Sequence, residues 1–163
     1  MFEIKTASVS DIPLIQQLNL QVWPQTYSAI LSKVQIDYML EMMYSEPALK
    51  KQMTTDACRF VIIYNDNRPV GFASFGKEEN TTWKLHKIYV LPDQQGKGTG
   101  KFLLNYIIEK IKEEAATTLI LQVNRFNKAK EFYERLGFTV IKIADFDIGN
   151  GYYMNDYVME KRV

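Results

Sequence analysis

The sequence is poor in groups that bind metal or form cross-links: it holds one cysteine, Cys58, and one histidine, His86. A lone thiol forms no internal disulfide, which fits a reducing compartment. One Cys with one His does not make a Cys/His zinc site. Neither sign of charge is in excess, since 20 Lys and Arg against 19 Asp and Glu leave a formal net charge of +1. The overall electrostatics therefore favour neither nucleic acid nor an anionic membrane. No apolar run approaches the ~18 residues of a membrane span, and Met1-Phe2-Glu3-Ile4-Lys5 lacks a signal peptide's apolar stretch. The expectation is a cytoplasmic protein without nucleic-acid or membrane partners. Asp145 and Asp147 look like the start of a calcium loop. The count then places Gly149 fifth, Asn150 sixth and Asp156, not Glu, twelfth, so the EF-hand pattern fails and no metal is expected.

What is present is ordinary for a globular protein: 163 residues, 47% apolar and 24% charged. Residues 1–163 read as one domain, with no repeat, low-complexity tract or linker. Phe2 to Thr6 alternates as an opening strand. Ser10 and Asp11 offer a cap before a helix carrying Ile12, Ile15 and Leu18 at helical spacing. Further helical stretches run over 32–43 and 47–53. Two strand-like runs, 59–64 and 70–75, flank Asn65-Asp66-Asn67-Arg68-Pro69, a hairpin signature. A strand over 83–91, a helix over 98–114 and a strand over 118–123 follow. A helix from Asn127, stopped by Gly137, precedes a last strand pair around Gly149-Asn150-Gly151.

The segment richest in chemistry is Gln95-Gly96-Lys97-Gly98-Thr99-Gly100-Lys101, set between a strand and a helix. Glycines let the backbone approach a ligand, and the first-turn N–H groups of a helix lack intrahelical partners, so this arrangement suits phosphate. A plain tight turn is the alternative. A Walker A loop fails because Gln95 and Phe102 stand at its two ends. The dinucleotide fingerprint fails because Gly100 comes one residue early. The pattern that fits is Gln-x-x-Gly-x-Gly at Gln95, Gly98 and Gly100.

With that pattern, Leu85 to Ile108 resembles the acyl-CoA-binding motif of the GNAT superfamily of N-acetyltransferases. A second segment, from Leu119 to Phe138, is similar to another motif of the same family. Its strand is followed by Val123 and Asn127 at V-x-x-x-N spacing, then Ala129, then Phe132-Tyr133 and Gly137-Phe138 as F-Y-x-x-x-G-F. The resemblance covers roughly half the chain. It implies an α/β (α+β) fold, with a mixed, mostly antiparallel sheet of about seven strands, about four helices and splayed central strands. It also implies acetyl-CoA as cofactor, a small-molecule amine as partner, and a monomer or homodimer. More loosely, Trp23 to Tyr44 and the ending Gly151-Tyr152-Tyr153-Met154 to Met159 resemble bacterial polyamine acetyltransferases of the spermidine/spermine type.

Acyl transfer to an amine needs a neutral nucleophile. An alkyl amine of pKa near 10.4 is neutral in only about one part in 2,500 at pH 7, a handicap of ~4.6 kcal/mol. Desolvation or a base must offset it, and the oxyanion and the departing thiolate each need a donor. By resemblance, the backbone of Gly96, Lys97, Gly98, Thr99, Gly100 and Lys101, with Gln95, would hold the CoA pyrophosphate. Ile88, Tyr89 and Val90 would pair with the pantetheine arm, an N–H near Val90 facing the thioester oxygen, with Asn127 and Lys130 adding contacts. Tyr133 would protonate the leaving thiolate; as an unaided pattern, it is also one member of an apolar helix face with Ala129, Phe132 and Leu136.

His86 alternates with Ile88 and Val90 and reads either as a base or water-holding residue, or as a structural polar group. Cys58 as a nucleophile is unnecessary if the amine attacks directly. The acceptor pocket would draw on Trp23, Tyr27, Tyr38, Glu41, Tyr44, Asp145, Asp147, Tyr152, Tyr153 and Asp156, a mixture suited to a cationic amine. Solvated loop charges are the plainer reading of the carboxylates. Protein acetylation and a non-catalytic acyl-CoA sensor remain as alternative functions.

Overall fold

Residues 1–163 are described by a computed structural model. In chain order the elements are β1 (Phe2–Ala7), α1 (Ile12–Tyr27), α2 (Lys33–Tyr44), α3 (Glu46–Thr54), β2 (Arg59–Asn65), β3 (Arg68–Glu79), β4 (Thr82–Val90), α4 (Thr99–Lys112), β5 (Thr118–Asn124), α5 (Ala129–Arg135), β6 (Thr139–Gly149) and β7 (Tyr152–Arg162). The strands form one sheet in the order β1-β2-β3-β4-β5-β7-β6. All neighbours are antiparallel except β4 and β5, which run parallel because α4 crosses between them. The architecture is the expected α/β one with a mostly antiparallel sheet, and five α-helices stand where about four were expected.

Local chemistry accounts for the boundaries. Ser32 and Ser45 cap α2 and α3, their hydroxyls accepting from the N–H groups of Gln35 and Ala48. The β2–β3 turn places Asp66 and Asn67 at positive φ, and the β6–β7 turn does the same with Gly149, Asn150 and Gly151, as tight hairpins require. Strands β2 and β3 carry unbroken buried runs, Phe60–Ile63 and Val70–Phe75. Such runs need cover on both faces; α1 packs on β3 and β4, and α4 on β4 and β1. One side of α4 buries Leu103, Leu104, Ile107 and Ile111, none of them exposed to solvent.

Two irregularities prepare the site. Strands β4 and β5 pair only from Thr82 and Thr118 to Leu85 and Leu121, so their C-terminal halves diverge. At the point of divergence the β3–β4 register shifts: Ser74 faces Lys87 and Phe75 faces Leu85, which leaves His86 as the extra residue of a bulge. The bulge interrupts the simple alternation expected to place His86, Ile88 and Val90 on one face. No helix is long and apolar enough to cross a membrane.

Candidate active site

The divergence of β4 from β5 opens a cleft of about 800 Å³. It runs from His86, Ile88, Tyr89 and Val90 on β4, past the glycine loop, to Asn127 and Tyr133 beyond β5. In the loop, Gly96 and Gly98 take positive φ of 79° and 80°, and a Cβ on either would meet nothing within 4 Å. The backbone therefore faces open space in a conformation that disfavours other residues. Among the N–H groups of Gly96 to Lys101, only that of Lys97 is bonded within the chain, to the Gln94 carbonyl at 3.3 Å. Five neighbouring donors thus point outward at the start of α4, a cradle whose chemistry suits the pyrophosphate of CoA.

Most residues singled out in the sequence line this cleft: His86, Ile88, Tyr89, Val90, Gln95, Gly96, Gly98, Thr99, Gly100, Lys101, Asn127 and Tyr133. Lys97 does not line it and is exposed. Lys130 does not either, because it pairs with Glu134 at 3.4 Å and lies 5.1 Å from the Tyr157 ring centre. Asn127 accepts from the Ala129 N–H at 2.9 Å, holding the entry to α5 from the position before its capping residue.

Some contributors were not anticipated. Gln94 is 5% exposed, and its side-chain carbonyl accepts from Asn65 and from the Thr99 hydroxyl, both at 3.2 Å. This tie fixes the loop to β2, whereas the motif glutamine, Gln95, is exposed. Lys128 and Arg135 bring further positive charge to the cleft wall. Their seven-residue spacing, two helical turns on one face, was the available signal.

Tyr133 is 8% exposed, and its hydroxyl makes no hydrogen bond within the chain. Burial, then the neighbouring Tyr27, pushes its pKa well above that of an ordinary phenol, so it holds its proton. His86 behaves oppositely. It sits exposed at the cleft mouth, yet desolvation by the surrounding protein, then Lys84 and Lys87, lowers its pKa to about 4. It is neutral near pH 7 and a weak base there.

A second, smaller pocket of about 210 Å³ adjoins the cleft on the helix side of β4. Tyr27, Leu85, His86, Lys87, Tyr89 and Gln122 line both spaces and mark their junction. Trp23 organises the aromatic wall, with ring centres 4.8 Å from Tyr27, 5.4 Å from Tyr44 and 6.3 Å from Tyr89. The β6–β7 hairpin borders the pocket and is tied to α2. Gln35 donates to the Tyr153 carbonyl at 2.9 Å and Tyr38 to that of Ile148 at 2.6 Å. Of the residues expected around an acceptor, Trp23, Tyr27, Tyr44, Tyr153 and Asp156 line the pocket, and Tyr38, Glu41, Asp145, Asp147 and Tyr152 do not.

Residues 28–160 match the family model of the acetyltransferase (GNAT) domain. The chain belongs to the GNAT acetyltransferase family. It is 26% identical over 165 residues to a spermidine N(1)-acetyltransferase of Thermoplasma acidophilum, covering 98% of this chain and 96% of that one. It is 37% identical over 93 residues to the ribosomal protein bS18-alanine N-acetyltransferase of Haemophilus influenzae, covering 56% of this GNAT chain and 58% of that protein. Its match to uncharacterized mycobacterial N-acetyltransferases likewise spans only 64% of their length. The crystal structure of the PaiA N-acetyltransferase from Thermoplasma acidophilum, in complex with coenzyme A, superposes with a TM-score of 0.83 at 25% identity, over 100% of this chain and 99% of that one.

Proposed function

We propose that this GNAT chain is an acetyl-CoA-dependent N-acetyltransferase acting by direct attack of a small primary amine, with polyamines and similar cationic amines as the acceptor class. The observation that carries this reading is the small aromatic pocket of about 210 Å³ joined to the cofactor cleft at Tyr27 and Tyr89. A pocket walled by Trp23, Tyr27, Tyr44 and Tyr89 and bordered by the last hairpin suits one alkylammonium group. The likeness to a spermidine acetyltransferase over nearly the whole chain supports the same class.

The chain's own groups divide the work. Acetyl-CoA would supply the acetyl group as an activated thioester. The outward N–H groups of the glycine loop, with Lys101, Lys128 and Arg135, would neutralise its phosphates. The unpaired edge of β4 from Ile88 to Val90 would hold its arm by backbone hydrogen bonds, an N–H near Val90 meeting the thioester oxygen. Tyr133 would donate its proton to the departing sulfur.

The likeness to the bS18-alanine enzyme over part of the chain supports a second reading, acetylation of a protein N-terminus. The small volume of the pocket, about 210 Å³, opposes it, since a peptide chain needs a longer groove. Thiol release from acetyl-CoA decides between them, measured against spermidine, spermine, propylamine, lysine and a short N-terminal alanine peptide. Turnover of the free amines with the peptide silent is the expected result. Turnover of the peptide alone would overturn it, and binding of acetyl-CoA with no turnover at all would favour a sensor.

A further inference from the structure

The smaller pocket contains one charge that the protein leaves without a partner. Asp156 is 3% exposed and lines the pocket, yet its carboxylate makes no hydrogen bond and no ion pair with any group of the chain. It sits on β7 opposite Asn124 on one side and Ala144 on the other. Burying an unpaired carboxylate is costly, and such groups collect where a ligand supplies the missing partner.

The cations around it are already engaged. On β4, Lys84 donates to the Gln122 side chain at 2.6 Å, and Lys87 to Gln52 at 2.9 Å while lying against the Tyr44 ring. After β5, Arg125 is held by Asp145 of β6. From α1, Tyr27 feels the Asp156 carboxylate, but its hydroxyl bonds to that of Tyr89 at 3.1 Å. Tyr44 and Tyr153 also line the pocket, with neutral His86 at the junction, and burial lowers the pKa of Lys87 to about 8. Burial raises its pKa to about 6, with Arg125 and Lys84 pulling the other way. At pH 7 it is ionised and a stronger proton acceptor than an ordinary carboxylate.

We infer that Asp156 is the group that receives the acceptor's ammonium and takes its proton, placing the freed amine beside the Tyr27–Tyr89 junction. The inference rests on the small-amine reading above. The ammonium gives one proton to the carboxylate, and the nitrogen lone pair forms the N–C bond as the C–S bond breaks. Tyr133 gives its proton to the sulfur and is restored by the second N–H proton, and the Asp156 proton returns to solvent, so one proton is released per acetyl group transferred.

The pH profile of kcat/KM for propylamine and spermidine tests this, in the full-length protein and in Asp156→Asn. If the charged amine enters as an ion pair, the wild-type profile is level between about 6, the Asp156 value, and about 10, the amine value. It falls below and above those limits, and a step near 8 that disappears in Lys87→Met belongs to Lys87, not to Asp156. In Asp156→Asn only neutral amine reacts, so kcat/KM is expected to drop at least 100-fold at pH 7.5 and to rise about tenfold per pH unit, with acetyl-CoA affinity within threefold. Asp156→Glu should recover part of the level region. A level profile and full activity in Asp156→Asn would overturn the role of Asp156 and leave the small-amine reading standing. If the wild type turns over no small amine, calorimetry of propylammonium with CoA-loaded protein still decides. Binding lost in Asp156→Asn supports the carboxylate and sinks only the acetyl-transfer reading, whereas equal or absent binding in both proteins overturns the inference.

Discussion

The Tyr27 hydroxyl lies 3.1 Å from the Tyr89 hydroxyl, a bond that ties α1 to β4 where the large cleft meets the smaller aromatic pocket. Burial raises the pKa of both phenols, so the pair stays neutral and polar in a dry setting. Tyr133 is close enough to feel both of them. The consequence is a small cluster of hydroxyls at the junction of the two spaces, where the proposed function brings amine and thioester together.

Tyr133→Phe removes the proposed proton donor while keeping the ring that packs on Phe132 and Phe138. Turnover is expected to fall about 100- to 10,000-fold, the usual range for loss of an acid, with CoA affinity nearly unchanged. Stopped-flow thiol release and calorimetry separate the two quantities. Unaltered turnover would remove Tyr133 from the chemistry.

At Gly98 the φ of 80° and the outward donors act together. Gly98→Asp should weaken CoA binding at least tenfold by placing a carboxylate where phosphate is to sit. Gly98→Asn, which tolerates the left-handed region, should cost less. Equal losses in calorimetry would mean that backbone strain, not charge, is responsible.

His86, with its pKa lowered to about 4, is neutral throughout the range from pH 5 to 8. His86→Gln is therefore expected to leave the shape of the pH–rate profile unchanged and to lower kcat/KM by less than tenfold. The unfolded chain takes up this proton near pH 6.5 and the fold only near pH 4. Stability contributed by neutral His86 is thus lost as pH falls through that window, and the variant should unfold less readily there than the wild type. A shifted profile in His86→Gln would restore the histidine as a base.

Asp156 has the opposite sign. Its carboxyl keeps a proton up to about pH 6 in the fold but only to 3.8 in the unfolded chain. Stability is therefore lost as pH rises through that interval, up to about 3 kcal/mol by pH 7. Asp156→Asn is expected to be more stable than the wild type in urea at pH 7.5, with the difference shrinking toward pH 4. A less stable variant at pH 7.5 would mean that the carboxylate has a structural partner.

The glycine loop and the Val123-to-Phe138 segment were legible in the sequence because their geometry is local: a turn, a helix start, a spacing of a few residues. The hairpins were legible for the same reason, through Asn67 and Gly151. What escaped depends on register between distant strands. The bulge at His86 exists only because β3 and β4 pair with one residue to spare. Asp156 was grouped with loop carboxylates until the β5–β7 pairing carried it inside. Lys130 was assigned to the cleft, and only its pairing with Glu134 and the position of Tyr157 turn it away. Gln94 outranked Gln95 as an anchor because Asn65, 29 residues earlier, faces it.

The short β4–β5 ladder has a further consequence. Beyond Leu85 and Leu121 each strand presents an unsatisfied border in the middle of the sheet, and such borders are templates that recruit foreign strands. The ligand-free chain carries that liability in its own interior. Whatever occupies the gap closes the sheet, so occupancy should lower the tendency to aggregate as well as raise the melting temperature. For this chain, cofactor supply and colloidal behaviour become one property.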